Sequence, residues 1–238
     1  MKIALIGYGK MGKAIEALAL QKGHEIVLKI SLENMHEFTE TNLQRADIAV
    51  EFTDPHSAFE NVTKCLNAGI PVVCGSTGWL GKYDQAVKIT QSTNSALLYS
   101  SNFSIGVNIF FELNKKLAQL MSDQNNYDVT MEEIHHAAKK DSPSGTAITL
   151  AEDILQFIKR KKAWVNRSAL NKEELSIVSQ RIDPAPGTHK IKYHSSADDI
   201  EIIHTAHDRT GFAAGAILAA EFLQKKKGVY SMRDVLGL

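Results

Sequence analysis

The segment Glu132-Glu133-Ile134-His135-His136-Ala137-Ala138-Lys139-Lys140-Asp141-Ser142-Pro143-Ser144-Gly145-Thr146-Ala147 holds the densest set of proton-handling and anion-binding groups in the chain. It begins where a strand ends and closes where a helix starts. Pro143 disfavours a helical Ser142, Ser144 is a good N-cap, and Gly145 and Thr146 follow with backbone N–H groups that have no intrahelical acceptor. A helix terminus of this kind attracts anions and suits a carboxylate. His135 and His136 change charge near neutral pH, and Lys139 adds another proton donor. The combination describes a site for a small anionic substrate that needs a proton. Three alternatives have less behind them. A surface histidine pair needs no function at all. A metal site built with His204 and His207 lacks an H-x-x-x-H pair or a cysteine cluster, so no metal is expected. Ser142 or Ser144 as a nucleophile lacks the G-x-S-x-G elbow.

A second constellation lies at the amino terminus, where Gly7-Tyr8-Gly9-Lys10-Met11-Gly12 fits G-x-G-x-x-G between a strand and a helix. Gly7 permits the tight turn, Gly9 leaves room for a pyrophosphate, and Gly12 lets the helix pack against the strand. The expected ligand is a dinucleotide on the helix terminus. Its 2′ substituent should be read at the end of the second strand, where Ser31 and Glu33 stand and no arginine is close by, so NADPH against NADH stays open. Two later turns follow strands of the same sheet: Gly75-Ser76-Thr77-Gly78, and Ser100-Ser101-Asn102-Phe103-Ser104. Both suit the nicotinamide side of the cofactor, and both also read as simple strand-to-helix turns.

These groups need a framework. Lys2 to Ile6 is apolar on both faces, like a parallel strand covered on each side. Met11 to Lys22 carries a helical apolar face, and a second strand runs from His24 to Ile30. The alternation continues with strands at 48–52, 71–74 and 97–100 and a helix at 55–67, giving a Rossmann-like doubly wound parallel sheet. Helices are then expected at about 107–121, 145–162 and 211–226, with strands at 128–134, 175–180, 189–195 and 200–206. This pattern describes a smaller α+β domain with a mixed or antiparallel sheet. The stretch 163–172 reads as a connection. Lys159 to Lys162 reads as a solvated basic run at a helix end.

With 27 basic against 27 acidic residues in 238, the chain has no bulk charge to attract nucleic acid or anionic lipid. Its two cysteines do not make a disulfide framework, and the glycines of the first turn interrupt what would be a signal peptide. No window approaches the roughly 18 apolar residues of a membrane helix. A cytoplasmic protein without membrane or nucleic-acid partners is expected.

The segment His135 to Ala147 resembles H-H-x-x-K-x-D-x-P-S-G-T-A of the dihydrodipicolinate reductases, also called 4-hydroxy-tetrahydrodipicolinate reductases. The first glycine turn, Gly75 to Gly78 (similar to G-T-T-G), Ser101 to Asn108 (similar to A-N-F-S-x-G-V-N) and Met232 to Leu236 follow in family order, so the resemblance covers nearly the whole chain. Many members are longer and have one more residue in the first glycine turn, and Ser76 replaces a threonine; trimmed loops of this kind leave a core intact.

The resemblance implies NAD(P)H-dependent reduction of a cyclic dicarboxylate imine in the diaminopimelate route to lysine. It implies proton transfer by His135 and Lys139, and carboxylate binding by His136 with the Gly145 and Thr146 backbone. Cofactor contacts would come from Gly7 to Gly12, Ser31, Glu33, Gly75 to Thr77 and Ser100 to Phe103. It further implies a dinucleotide-binding domain of residues 1–104 and 212–238, a substrate-binding and oligomerisation domain of 105–211, closure between them, and a homotetramer. The alternatives are another Rossmann oxidoreductase acting on an amino or keto acid, and an idle dinucleotide sensor; the sensor would not need His135 and Lys139.

Overall fold

The structure is a computed structural model that describes residues 1–208 and 210–238. They form two compact units, one of residues 1–105 with 210–238 and one of 106–209.

In the first unit, β1 (Lys2–Ile6), β2 (Glu25–Ile30), β3 (Ile48–Glu51), β4 (Val72–Cys74), β5 (Ala96–Tyr99) and β11 (Gly228–Tyr230) make a six-stranded sheet. The strand order is β11-β5-β4-β3-β1-β2, and every neighbouring pair is parallel. Alternate residues of each strand face opposite sides, so both faces must be covered. On one side Ala4, Ile6, Ala49, Val72 and Leu97 pack under α3 (Ala58–Asn67) and α4 (Tyr83–Ser92), through residues such as Val62, Leu66 and Ala86. On the other side Ile3, Leu5, Ile48, Val50 and Leu98 pack under α1 (Lys10–Gln21) and α7 (Thr210–Leu223). The sheet order reverses between β1 and β3, which makes that point the crevice for a ligand in a doubly wound sheet.

In the second unit, β6 (Asp128–His135), β7 (Ala163–Val165), β8 (Glu174–Arg181), β9 (Gly187–His194) and β10 (Asp199–Ala206) form a mixed sheet ordered β10-β9-β6-β8-β7. The β9 pairings are antiparallel and the β8 pairings parallel. One face carries Val129, Met131, Ile177, Ile191 and Tyr193, buried with Ala118 of α5 (Ile105–Leu120) and Leu150 and Ile154 of α6 (Gly145–Phe157). The opposite face holds ion pairs such as Lys190–Glu201 and Lys192–Asp199.

Several expectations change. The connection at 163–172 contains the short strand β7, and α4, α2 (Glu40–Leu43), β11 and α8 (Met232–Leu236) were not anticipated. Helix α6 ends at Phe157, short of the basic run. That run is solvated only at its two ends, Lys159 and Lys162: Lys161 is buried and its ammonium donates to the Glu174 carbonyl and pairs with Asp128, while Arg160 donates to the carbonyls of Ser122 and Tyr127.

Candidate active site

The turn after β1 places each glycine where the sequence needs it. Gly7 has φ +96°, and a Cβ there would sit 2.1 Å from the Phe52 carbonyl oxygen. A Cβ on Gly12 would meet the Gly7 carbonyl oxygen at 2.3 Å, so turn and helix are in close contact. Gly9 differs: a Cβ there would meet nothing within 4 Å. It is the N-cap of α1, without a side-chain cap and without an acid in the first turn, so its open side faces a positive helix end.

Beside it is a cavity of about 640 Å³, walled by Gly7, Tyr8, Gly9, Lys13, Ser31, Glu33, Phe52, Thr53, Asp54, Ser57 and Asn61 among others. Most of these residues come from the ends of β1, β2 and β3, the switch point of the sheet, with Lys13 added from α1 and Asn61 from α3. The donor set suits a dinucleotide: bare glycine backbone for phosphates, an apolar floor from Ile6 and Ile30, and polar groups around the rim.

Lys10 and Met11 lie in the first turn of α1. Ser31 donates to Asn34 through both N–H and hydroxyl, and the exposed Glu33 stands on the wall as one of its two carboxylates, with Asp54 the other. Gly75, Ser76 and Thr77 follow β4, and Ser100 to Phe103 follow β5, beside the cavity wall and not part of it. Ser76 is buried, its hydroxyl accepting the Thr53 N–H at 2.7 Å. Ser100 and Asn102 brace the next turn, and Phe103 is buried against Phe52. The Thr53-Asp54 turn was missed by sequence reasoning. Its signal was its place at the carboxyl end of a parallel strand.

In the second unit, β6 delivers Glu133 and His135 to the same, covered face, two residues apart. Strand register brings in the rest: His189 of β9 stands opposite Glu133, and Arg181 of β8 opposite His135. Glu133 is fully buried. The Ser144 N–H donates to both its oxygens at 3.1 Å, Arg181 Nη2 donates at 3.4 Å, and His135 Nδ1 and His189 Nε2 lie 3.5 and 3.7 Å away. Burial alone would raise this carboxyl, but hydrogen bonds from His189 and Ser144 outweigh it and hold it below the ordinary range. Burial, followed by the neighbouring His189, pushes His135 down from 6.5 to about 4 against the pull of Glu133, so its imidazole is neutral at pH 7.

Ser144 caps α6 by accepting the Ala147 N–H, and its hydroxyl shares a 3.2 Å hydrogen bond with His189. Gly145 and Thr146 open the helix as expected, and the space beside Gly145 is clear. His136 is half-buried at the strand end. Lys139 pairs with Asp141 at 2.9 Å, and Arg181 holds this loop through the Lys139 and Asp141 carbonyls. Sequence reasoning missed Glu133, Arg181 and His189 as members of this cluster. Glu133, His135 and His189 are also spaced closely enough to ligate a cation. The Ser144 N–H, shared by both oxygens, and the Arg181 charge already occupy Glu133, which favours a hydrogen-bonded network.

The buried imidazole has a stability signature. The unfolded chain protonates this histidine first, so the contribution is complete above pH 6.5 and lost as pH falls to about 4, amounting to about 3 kcal/mol. Glu133 adds a loss in the same direction only below its ordinary 4.5. Denaturant titrations at pH 7 and pH 4 should show a clearly smaller loss in His135→Gln than in the parent, and equal losses would count against a buried neutral His135.

The amino-terminal region of dihydrodipicolinate reductase matches residues 1–103, and its carboxyl-terminal region matches 106–236. A 4-hydroxy-tetrahydrodipicolinate reductase from Christiangramia forsetii is 48% identical over 99% of this chain and 98% of its own. One from Methanocorpusculum labreanum is 35% identical, covering 82% of this chain and 77% of its own. Among solved structures, a dipicolinate-bound dihydrodipicolinate reductase from Paenisporosarcina sp. TG-14 superposes with a TM-score of 0.78 at 21% identity, with 97% of each chain covered. An amine dehydrogenase from Mycobacterium smegmatis shares the fold at a TM-score of 0.63 and 13% identity, over 98% of this chain and 95% of that one. With both regions matched and 48% identity over 99% of its length to a reductase of that name, the chain belongs to the dihydrodipicolinate reductase family.

Proposed function

We propose that this chain reduces 4-hydroxy-tetrahydrodipicolinate with NAD(P)H, using residues 1–104 and 212–238 for the dinucleotide and 105–211 for the substrate. The observation that carries the residue assignment is the cluster of a neutral, buried His135, the Lys139 ammonium and the amino terminus of α6 in one unit. When bound in the glycine cradle, the reduced dinucleotide supplies a hydride. Its contacts are Gly7 to Gly12, Ser31 and Glu33, with Gly75 to Thr77 and Ser100 to Phe103 at the adjoining strand ends. A substrate carboxylate sits on the Gly145 and Thr146 N–H groups beside His136, where helix end and imidazole both favour negative charge. Lys139 carries a proton at Nζ and Nε2 of His135 can accept one, so together they hold and move the proton that completes the reduction. A small dicarboxylate fits this reading, as does the dipicolinate named for the relative of the same fold.

Either NADPH or NADH fits the cradle. Glu33 suits a ribose hydroxyl, while Lys13 on the same wall suits a phosphate. We further propose a cytoplasmic homotetramer built on the second unit. No helix among the described residues is long and apolar enough to cross a membrane. The open sheet face, with its alternating charges and exposed Val178, offers a surface for such an assembly.

The test is the initial rate of NADPH and of NADH oxidation, with substrate made in situ from pyruvate and aspartate semialdehyde by the preceding synthase. Substrate-dependent turnover is expected, and the ratio of rates gives the cofactor preference. A folded, dinucleotide-binding protein with no turnover on either cofactor would shift the reading to another substrate or to a sensor.

A further inference from the structure

Glu133 has no part in the reading above, yet it is the most heavily engaged side chain of the cluster. It is fully buried and touches the α6 cap, the Arg181 clamp and both histidines. His135 Nδ1, in contrast, is buried with no hydrogen-bond partner among the described residues. A buried imidazole nitrogen left unpaired is costly, and the Glu133 carboxylate oxygen 3.5 Å away needs a ring shift of only a few tenths of an ångström to pair with it. The other edge of the ring is in different surroundings. A Cβ on Gly187 would lie 3.1 Å from His135 Nε2, so that nitrogen faces bare backbone where any side chain would crowd it. The His189 ring closes one side at 5.1 Å, nearly edge-on.

We propose that Glu133 is a positioning residue of the reaction: it holds His135 with Nδ1–H toward itself and Nε2 bare for proton transfer, and through Ser144 it fixes that ring relative to the anion-binding end of α6. The assignment rests on the reading of His135 as a proton-handling group. The charged and titratable groups around His135 are Glu133 on its own strand, His189 on β9, Arg181 on β8, and Lys139 on the loop that follows β6. Glu133 is the one acid among them. Its charge steadies the imidazolium that forms while Nε2 carries a proton, and its geometry fixes the tautomer. No net proton is gained: one accepted at Nε2 from the Lys139 ammonium is given to the reduced substrate in the same turnover, and Lys139 recovers its proton from solvent.

Long-range proton–nitrogen spectra of the ¹⁵N-histidine-labelled full chain at pH 7 read the tautomer directly, with His135 assigned by its disappearance in His135→Gln. The expected result is a protonated Nδ1 and a bare Nε2; the opposite tautomer would overturn the proposal, and this measurement needs no Glu133 variant to fold. Kinetics supply the second arm. Glu133→Gln should lower kcat about tenfold with an unchanged KM for the dinucleotide, and the same change in a His135→Gln background should have less than a twofold effect. An undiminished tenfold loss in that background would reduce Glu133 to a structural role and overturn the proposal. Failure of the underlying reading is separate, since it is seen in the His135→Gln single variant alone.

Discussion

His135→Gln should lower kcat by two decades or more while leaving dinucleotide affinity within about twofold. Positioned proton transfer contributes about 10²–10⁴ in rate, and glutamine at this site keeps a polar side chain but loses a nitrogen that titrates. The structure adds a reason for expecting the full effect. His135 is almost completely enclosed by Glu133, His189, Arg181 and the Gly187 backbone, so a water molecule has little room to take its place. The cavity proposed for the dinucleotide is walled by residues of the other unit, which is why its affinity should not respond. Single-turnover rates together with dinucleotide titration by fluorescence check both halves, and an unchanged kcat would remove His135 from proton handling.

The second large effect is expected at the glycine turn, where two neighbouring positions should fail in different ways. Gly9→Val should raise the dinucleotide dissociation constant about 100-fold without lowering the unfolding midpoint. The backbone there is extended, with φ −85°, and a Cβ on it would meet nothing within 4 Å beyond its chain neighbours, so the added side chain grows into the space assigned to the pyrophosphate. Gly7→Val should instead destabilise the fold by about 3 kcal/mol or more, because φ +96° and a 2.1 Å approach to the Phe52 carbonyl strain the native state itself. Thermal melts with and without NADPH separate the two. Tight binding by Gly9→Val would mean that the phosphates lie elsewhere.

Much of this was legible in the sequence because the signals are local. KIALI with alternating residues on two covered faces, the glycine spacing after it, and Ser144 as a helix cap all depend on neighbours within a few residues. The network around His135 was not local. His189 and Arg181 reach Glu133 and His135 through the register of β9 and β8 against β6, and no periodicity in a single strand reveals which residues will stand opposite. Short elements escaped for another reason: Ala163–Val165 and Gly228–Tyr230 have three residues each, too few to show a period. The basic run at 159–162 was misread at Arg160 and Lys161 because composition is silent on which carbonyls stand at hand, and those of Tyr127 and Glu174 lie 33 and 13 residues away in the chain.

Residues 210–238 bear on biosynthesis. They supply β11 at one edge of the parallel sheet and α7 over one of its faces, where Ala216, Ile217 and Ala220 pack on Ile3, Leu5 and Val50. A ribosome that has emitted the first 105 residues has therefore released a sheet with one hydrophobic face half bare and one edge unpaired, and 106–209 must emerge before the cover arrives. The intervening unit has its own core and can close first, so the two ends of the nucleotide-binding unit are brought together by a folded insert and not by a long floppy loop. Nascent chains arrested shortly after residue 209 should be the forms most in need of a chaperone, and emergence of residues 210–238 is the event that supplies β11 and α7 to the parallel sheet.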